Sequence, residues 1–135
     1  MSSVTRVACR AVRGCRAVQE LADRIGLTGA LSDAAAASCA TGLGHDPGVV
    51  LRDLMVTLVD GGDDFSAIEV LRGNPDLAGP VASDSTAWRR VADLARDELA
   101  VTRLGDTRRV ARTAAWSAGR AAVAHGLLGL TSACC

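Results

Sequence analysis

The stretch His45-Asp-Pro-Gly-Val-Val-Leu-Arg-Asp-Leu-Met-Val-Thr-Leu-Val-Asp-Gly-Gly62 decides the fold. Asp46 can accept from the free N–H groups that open a helix, and Pro47 at the first helical position has no N–H to leave unsatisfied. Val50, Leu51, Leu54, Met55, Leu58 and Val59 then recur at helical spacing as a broad apolar face, with Arg52, Asp53 and Thr57 opposite. Gly61-Gly62 ends the pattern. This is the core helix.

Toward the N-terminus, Val18, Leu21, Ala22 and Ile25 fall at i, i+3, i+4 and i+7, which predicts a helix over 17–25. Gly26 punctuates it, and a short helix is expected from Thr28 through Ala37, followed by a Ser-Cys-Ala-Thr-Gly loop. Toward the C-terminus, Ser66-x-x-Glu69 has the form of a capping box, with Phe65 and Val70 spaced for a hydrophobic staple and Ile68 and Leu71 facing inward. Arg72-Gly-Asn-Pro75 breaks that helix, and Asp76 to Val81 is a turn-rich link. Ala82-Ser-Asp-Ser-Thr86 then supplies caps to a helix carrying Trp88, Val91, Ala92, Ala95 and Leu99 on one side and Arg89, Arg90, Asp93 and Arg96 on the rest. Asp106-Thr107 is expected to cap a last helix, with Val110, Ala114 and Ala115 inside and Arg108, Arg109 and Arg112 outside. Beyond Trp116, Gly119, Gly126 and Gly129 disfavour continued helix. No stretch reads as a strand. The expectation is an all-α protein, a small bundle of about five short helices with a helix-turn-helix-like segment and flexible ends. Residues 1–16 are expected to be a disordered basic N-terminus, 17–118 the helical domain and 119–135 an irregular tail.

A chain of 135 residues has room for one domain. Its 49% hydrophobic share includes 25 Ala and 5 Cys, so the core that larger side chains can build is modest. No apolar run approaches the roughly 20 residues that cross a bilayer, which argues against a membrane protein. The formal charge is zero, but it is unevenly laid out. Residues 1–18 carry Arg6, Arg10, Arg13 and Arg16 with no acid, and residues 107–135 carry Arg108, Arg109, Arg112 and Arg120 with none. All fifteen acids lie between. Basic ends around an acidic middle suit nucleic acid at the ends, and they also occur without any partner. Cys9, Cys15, Cys39, Cys134 and Cys135 are odd in number and lack the close pairs of a zinc knuckle, so free thiols and a cytoplasmic location are expected.

Three groups could carry chemistry. Asp60, Asp63 and Asp64 offer carboxylates, but a hard cation needs several oxygens converging in a set geometry, and acids between two helices serve as caps. His45 has no nucleophile in a recognisable motif beside it. Ser83-Asp-Ser-Thr86 with Arg89 and Arg90 is the third. Hydroxyls opening a helix donate to phosphates, and Arg one turn later reaches phosphate or guanine edges, as in a helix-turn-helix reader. A capped surface helix with an Arg89–Asp93 pair fits the same residues, and the residues alone leave both readings open.

Four segments together carry a resemblance: Glu20-Leu-Ala-Asp-Arg-Ile-Gly-Leu-Thr-Gly-Ala-Leu31, His45-Asp-Pro-Gly-Val-Val-Leu-Arg-Asp-Leu54, Leu58-Val-Asp-Gly-Gly-Asp63 and Pro80-Val-Ala-Ser-Asp-Ser-Thr-Ala-Trp-Arg89. In order and spacing, over about residues 17–118, they resemble the N-terminal region of bacterial insertion-sequence transposases of the DDE type, the group-1 DDE-domain family. The resemblance implies a fragment truncated before the catalytic domain. In that family, Mg²⁺-dependent strand transfer belongs to three carboxylates on a later RNase H-like sheet. None of the acids here matches those positions, so the resemblance implies no catalytic residues, no enzyme activity and no cofactor in this chain. It implies transposon-end DNA binding, with double-stranded DNA at terminal repeats and full-length transposase as the expected partners. The contacts expected are Ser83, Ser85, Thr86, Arg89 and Arg90, with Arg108, Arg109 and Arg112 on phosphates. The rival expectations are a helical protein-interaction module and a non-functional remnant.

Overall fold

A computed structural model describes the backbone of residues 3–39 and 44–132 and the side chains of 14–39 and 44–120. The described residues are all-α, with no strand. Seven α-helices follow one another: α1 (Ser3–Arg24), α2 (Leu27–Ala35), α3 (Pro47–Val59), α4 (Ile68–Arg72), α5 (Pro75–Ala78), α6 (Asp84–Ala95) and α7 (Glu98–Ser132), with a 3-10 turn, Phe65–Ala67, leading into α4. α3 is central. It packs on α1, α2, α4 and α6, while α7 lies across α2 and α6.

The start of α3 follows the sequence closely. Asp46 accepts from the Val49 amide at 3.0 Å, and Pro47 sits in the first turn. The same carboxylate accepts from the Ser32 hydroxyl, which ties the start of α3 to α2. The helices meet so closely there that a Cβ at Gly48 would collide with Ser32 and the Thr28 carbonyl. The orientation of α3 differs from expectation. Val50, Asp53, Val56 and Thr57 are buried, whereas Leu58 and Val59 are 62% and 72% exposed. Asp53 can turn inward because Gln19 donates to it at 2.8 Å and Arg52 does so at 2.7 and 2.9 Å. Thr57 satisfies its hydroxyl on the Leu54 carbonyl. With its polar groups thus paired, α3 buries Val50 and Val56 against Cys15, Ile68, Leu71, Val81, Ala82 and Ala87. A second cluster, Ala35, Cys39, Leu94 and Ala100, joins α2, α6 and α7.

The other elements show the same contrast between local signals and tertiary choice. Ile68 and Leu71 are buried as expected. The cap before them is Asp64, which accepts from the Ala67 amide and the Ser66 hydroxyl, rather than Ser66 with Glu69. The first turn is 3-10 and begins at Phe65, two positions earlier than a capping box on Ser66 requires. Val70 is 53% exposed, and Phe65 packs on the core instead of forming a staple. α6 is capped by Ser83, as the residues suggest. Its buried stripe is Ala87, Arg90 and Leu94, not the Trp88 side; α6 turns Ala87 into the cluster around α3 and leaves Trp88 exposed. α6 stops at Ala95. Asp97 then accepts from the Leu99 and Ala100 amides, so Leu99 belongs to α7 and is exposed. α7 runs unbroken through Asp106, buries Ala100 and Ala111, and leaves Val110 outside.

At both ends the helices extend past the bounds that apolar periodicity predicts: α1 begins at Ser3 and α7 continues to Ser132. Runs rich in Ala, Arg and Leu are good helix formers, and scattered valines and glycines, the latter at about 1 kcal/mol each, do not break them. Among the described side chains of α1, Cys15, Gln19 and Ala22 are buried and Leu21 is turned outward. The loop expected at 38–42 falls in part on residues 40–43, outside the described residues, as do Met1, Ser2 and 133–135.

Candidate nucleic-acid interface and apolar groove

The residues expected to touch DNA fall into three environments. At the start of α6, Ser83 is occupied as a cap: its hydroxyl accepts from the Thr86 amide at 3.3 Å and lies 3.0 Å from the Thr86 hydroxyl. Ser85 and Arg89 are exposed and, four residues apart, share one face. Arg89 has no acidic partner among the described residues; the expected Arg89–Asp93 pair is replaced by Arg96–Asp93 at 3.0 Å. Negative charge stands at the same helix end. Asp84 is the first residue of α6, and the Glu69 carboxylate accepts from its amide at 3.4 Å.

Arg90 is elsewhere. It is 9% exposed and donates to the His45 carbonyl at 3.5 Å, so it braces the entry to α3 instead of joining Arg89 on the surface. The inward turn of α6 toward α3 removes it from the contact set expected for DNA.

The three arginines of α7 divide as well. Arg109 is exposed and paired with Asp106 at 2.6 Å. Arg108 and Arg112 line a groove of about 820 Å³ between α2, α3, α6 and α7. Its walls are apolar except for Thr57, Asp63, Asp64, Arg108 and Arg112. The outer side of α3, which expectation placed in the core, supplies Leu51, Leu54, Met55 and Leu58 to this groove. Sequence reasoning missed the groove because α3 is apolar nearly all round; that breadth was the available signal.

Two further clusters are structural. Arg52 bridges Asp53 and Asp23, joining α3 to α1. Burial pulls its guanidinium pKa down, but hydrogen bonds and charge from Asp53 and Asp23 outweigh that and hold it above the ordinary value. Asp97 receives the Ser38 hydroxyl, the Ala100 and Leu99 amides and Arg103 at 3.5 Å, and these hold its carboxyl below the usual range. Arg103 also donates to the Ala34 carbonyl at 3.1 Å, pinning α7 to α2.

The acids between α3 and α4 do not converge. Asp60 closes the C-terminus of α3 near the Cys15 thiol, and Asp64 serves its own turn, where the Ser66 hydroxyl first and the Ala67 and Ser66 amides next lower its pKa. Among the described residues no three His, Cys, Asp or Glu side chains stand where they could hold a metal ion. Cys15 and Cys39 are buried free thiols. Burial first, then the charge and hydrogen bond of Asp60, push the Cys15 thiol up, which makes it a poor nucleophile.

Comparison with protein-family models, curated proteins and solved structures gives no match in any of the three. Among the described residues no helix is long and apolar enough to cross a membrane.

Proposed function

We propose that this chain is a DNA-binding helical module of the kind found in the N-terminal region of DDE-type transposases, holding transposon-end DNA without strand-transfer chemistry of its own. The observation that carries the reading is the exposed Ser85–Arg89 face at the start of α6, inside Pro80–Arg89, one of the four segments that together resemble such enzymes. A cation without an acidic partner, one turn from a hydroxyl at a helix start, is suited to a phosphate or a guanine edge. Thr86 and the capping Ser83 flank that face, and Arg109 contributes from α7 only by exchanging Asp106 for a phosphate. In this reading Arg90 positions α6 and touches no DNA, and binding the DNA calls for no Mg²⁺. The reading places the protein with DNA in the cytoplasm.

The test is a binding-shift titration on a terminal-repeat duplex and on a random duplex of equal length. The repeat is expected to bind more tightly. Arg89→Ala should weaken binding and reduce the salt slope by about 1. Equal affinity for both duplexes, with no loss in Arg89→Ala, contradicts the reading. The rival reading, a helical protein-interaction module, is favoured by the apolar groove alone. It predicts a larger sedimenting mass with a partner protein and none with DNA.

A further inference from the structure

The groove has a chemical character that DNA binding does not use, and the Ser83–Arg89 segment does not line it. Leu31, Leu51, Leu54 and Leu104 supply an aliphatic surface, continued outward by Met55 and the largely exposed Leu58. Contiguous apolar surface facing water is unfavourable and marks binding sites on soluble proteins. A volume of about 820 Å³ lies within the roughly 300–1,000 Å³ of small-molecule pockets, rather than describing a flat interface between folded surfaces.

The charges on its walls specify the ligand further. Arg108 and Arg112, four residues apart on α7, both line the groove and are exposed, and neither has an acidic partner among the described residues. Asp64, also in the lining, accepts from the Ser66 hydroxyl and the Ala67 amide, which keep its carboxylate ionised within its own turn. Asp63, exposed, is the remaining acid of the lining. The lining thus carries two cations on α7 and two carboxylates in the turn before α4, and the cations are the pair that the fold leaves without an opposite charge. Guanidinium forks match carboxylates in a planar, charge-assisted geometry.

We propose that this groove binds a long-chain aliphatic carboxylate, with its tail along the leucines and its head at Arg108 and Arg112. Binding makes and breaks no covalent bond. It removes the alkyl chain and the exposed faces of Met55 and Leu58 from water together, and it gives the two arginines the anion that the fold does not supply.

The experiment titrates the whole 135-residue chain with dansylaminoundecanoic acid, follows emission, and displaces the probe with dodecanoate, dodecanol or dodecyltrimethylammonium. Saturable binding is expected, with dodecanoate displacing the probe about tenfold or more better than dodecanol, and the cation weakest. The Arg108→Gln/Arg112→Gln variant should lose about tenfold or more in affinity. Arg109→Gln, outside the groove, should not change it, and Asp63→Asn should tighten it. Far-UV circular dichroism of the exposed-site variants checks their helix content; should the double variant unfold, Arg112→Gln and the head-group series on the unaltered chain decide. Absence of saturable binding, equal displacement by dodecanoate and dodecanol, or indifference to the arginine changes overturns the proposal. So does a dimer in sedimentation that dodecanoate neither competes with nor loosens.

Discussion

Replacing Asp53 by Ala removes the acceptor shared by Gln19 and Arg52 in a site where Asp53 is 1% exposed. Breaking a buried charge pair from one side costs about 3–5 kcal/mol, because the partners stay desolvated; Arg52 keeps Asp23, so the lower end is expected in urea unfolding. Nothing local to Asp53 announces this role: Gln19 lies 34 positions away, and a carboxylate between Arg52 and Leu54 reads as solvent-facing. Cys15 provides a second residue-scale prediction. Its folded-state pKa is raised, so its contribution is fully present below the ordinary thiol value of about 8.5–9 and is lost as pH rises through the folded value. Thermal midpoints should therefore fall on the alkaline side, and less so in Cys15→Ala. Trp88 and Trp116, 56% and 69% exposed, should be quenched by acrylamide in the native protein nearly as well as in urea.

The helix starts at Asp46 and Ser83 were legible because each is written in a few adjacent residues: an acceptor followed by helix formers, with Pro47 in the first case. The break between α6 and α7 was not. Asp97 becomes a cap through its own amide contacts and through Ser38, which arrives from the far end of α2. Helix contact also decides the sign of two glycine changes. Gly48→Ala should destabilise by about 1–3 kcal/mol, because the added methyl meets Ser32 and the Thr28 backbone in the α2–α3 contact. Gly105→Ala, in open space on α7, should stabilise by about 0.5–1 kcal/mol through helix propensity alone. Paired urea melts of the two variants read both. A Gly48→Ala variant as stable as Gly105→Ala would show that α2 and α3 do not meet as closely as described.

At the scale of the molecule, the all-α class followed from apolar periodicity and the absence of strand patterns, whereas the division of apolar surface between core and groove did not. That division depends on which way α3 is turned, and a helix that is apolar on most sides carries no preference of its own. The expected DNA contacts were affected in the same way: the burial of Arg90 and the place of Arg108 and Arg112 at the groove are properties of helix packing, not of their neighbours in sequence. The fold's response to acid is likewise collective. Asp64 and Asp97 have lowered folded-state pKa values, so their stabilisation is present above the ordinary carboxylate value of about 4 and is lost as pH falls through the folded values. Asp97→Asn should flatten that part of the pH profile of the thermal midpoint.

The orientation of α3 decides the core, the groove and the placing of α6, and one pair of thermal melts examines it. With Val56 inward and Leu58 outward, Val56→Ser should lower the midpoint by several degrees, while Leu58→Ser should leave stability within about 0.5 kcal/mol of the parent. The reverse pattern, a large loss at Leu58 and little at Val56, contradicts the account.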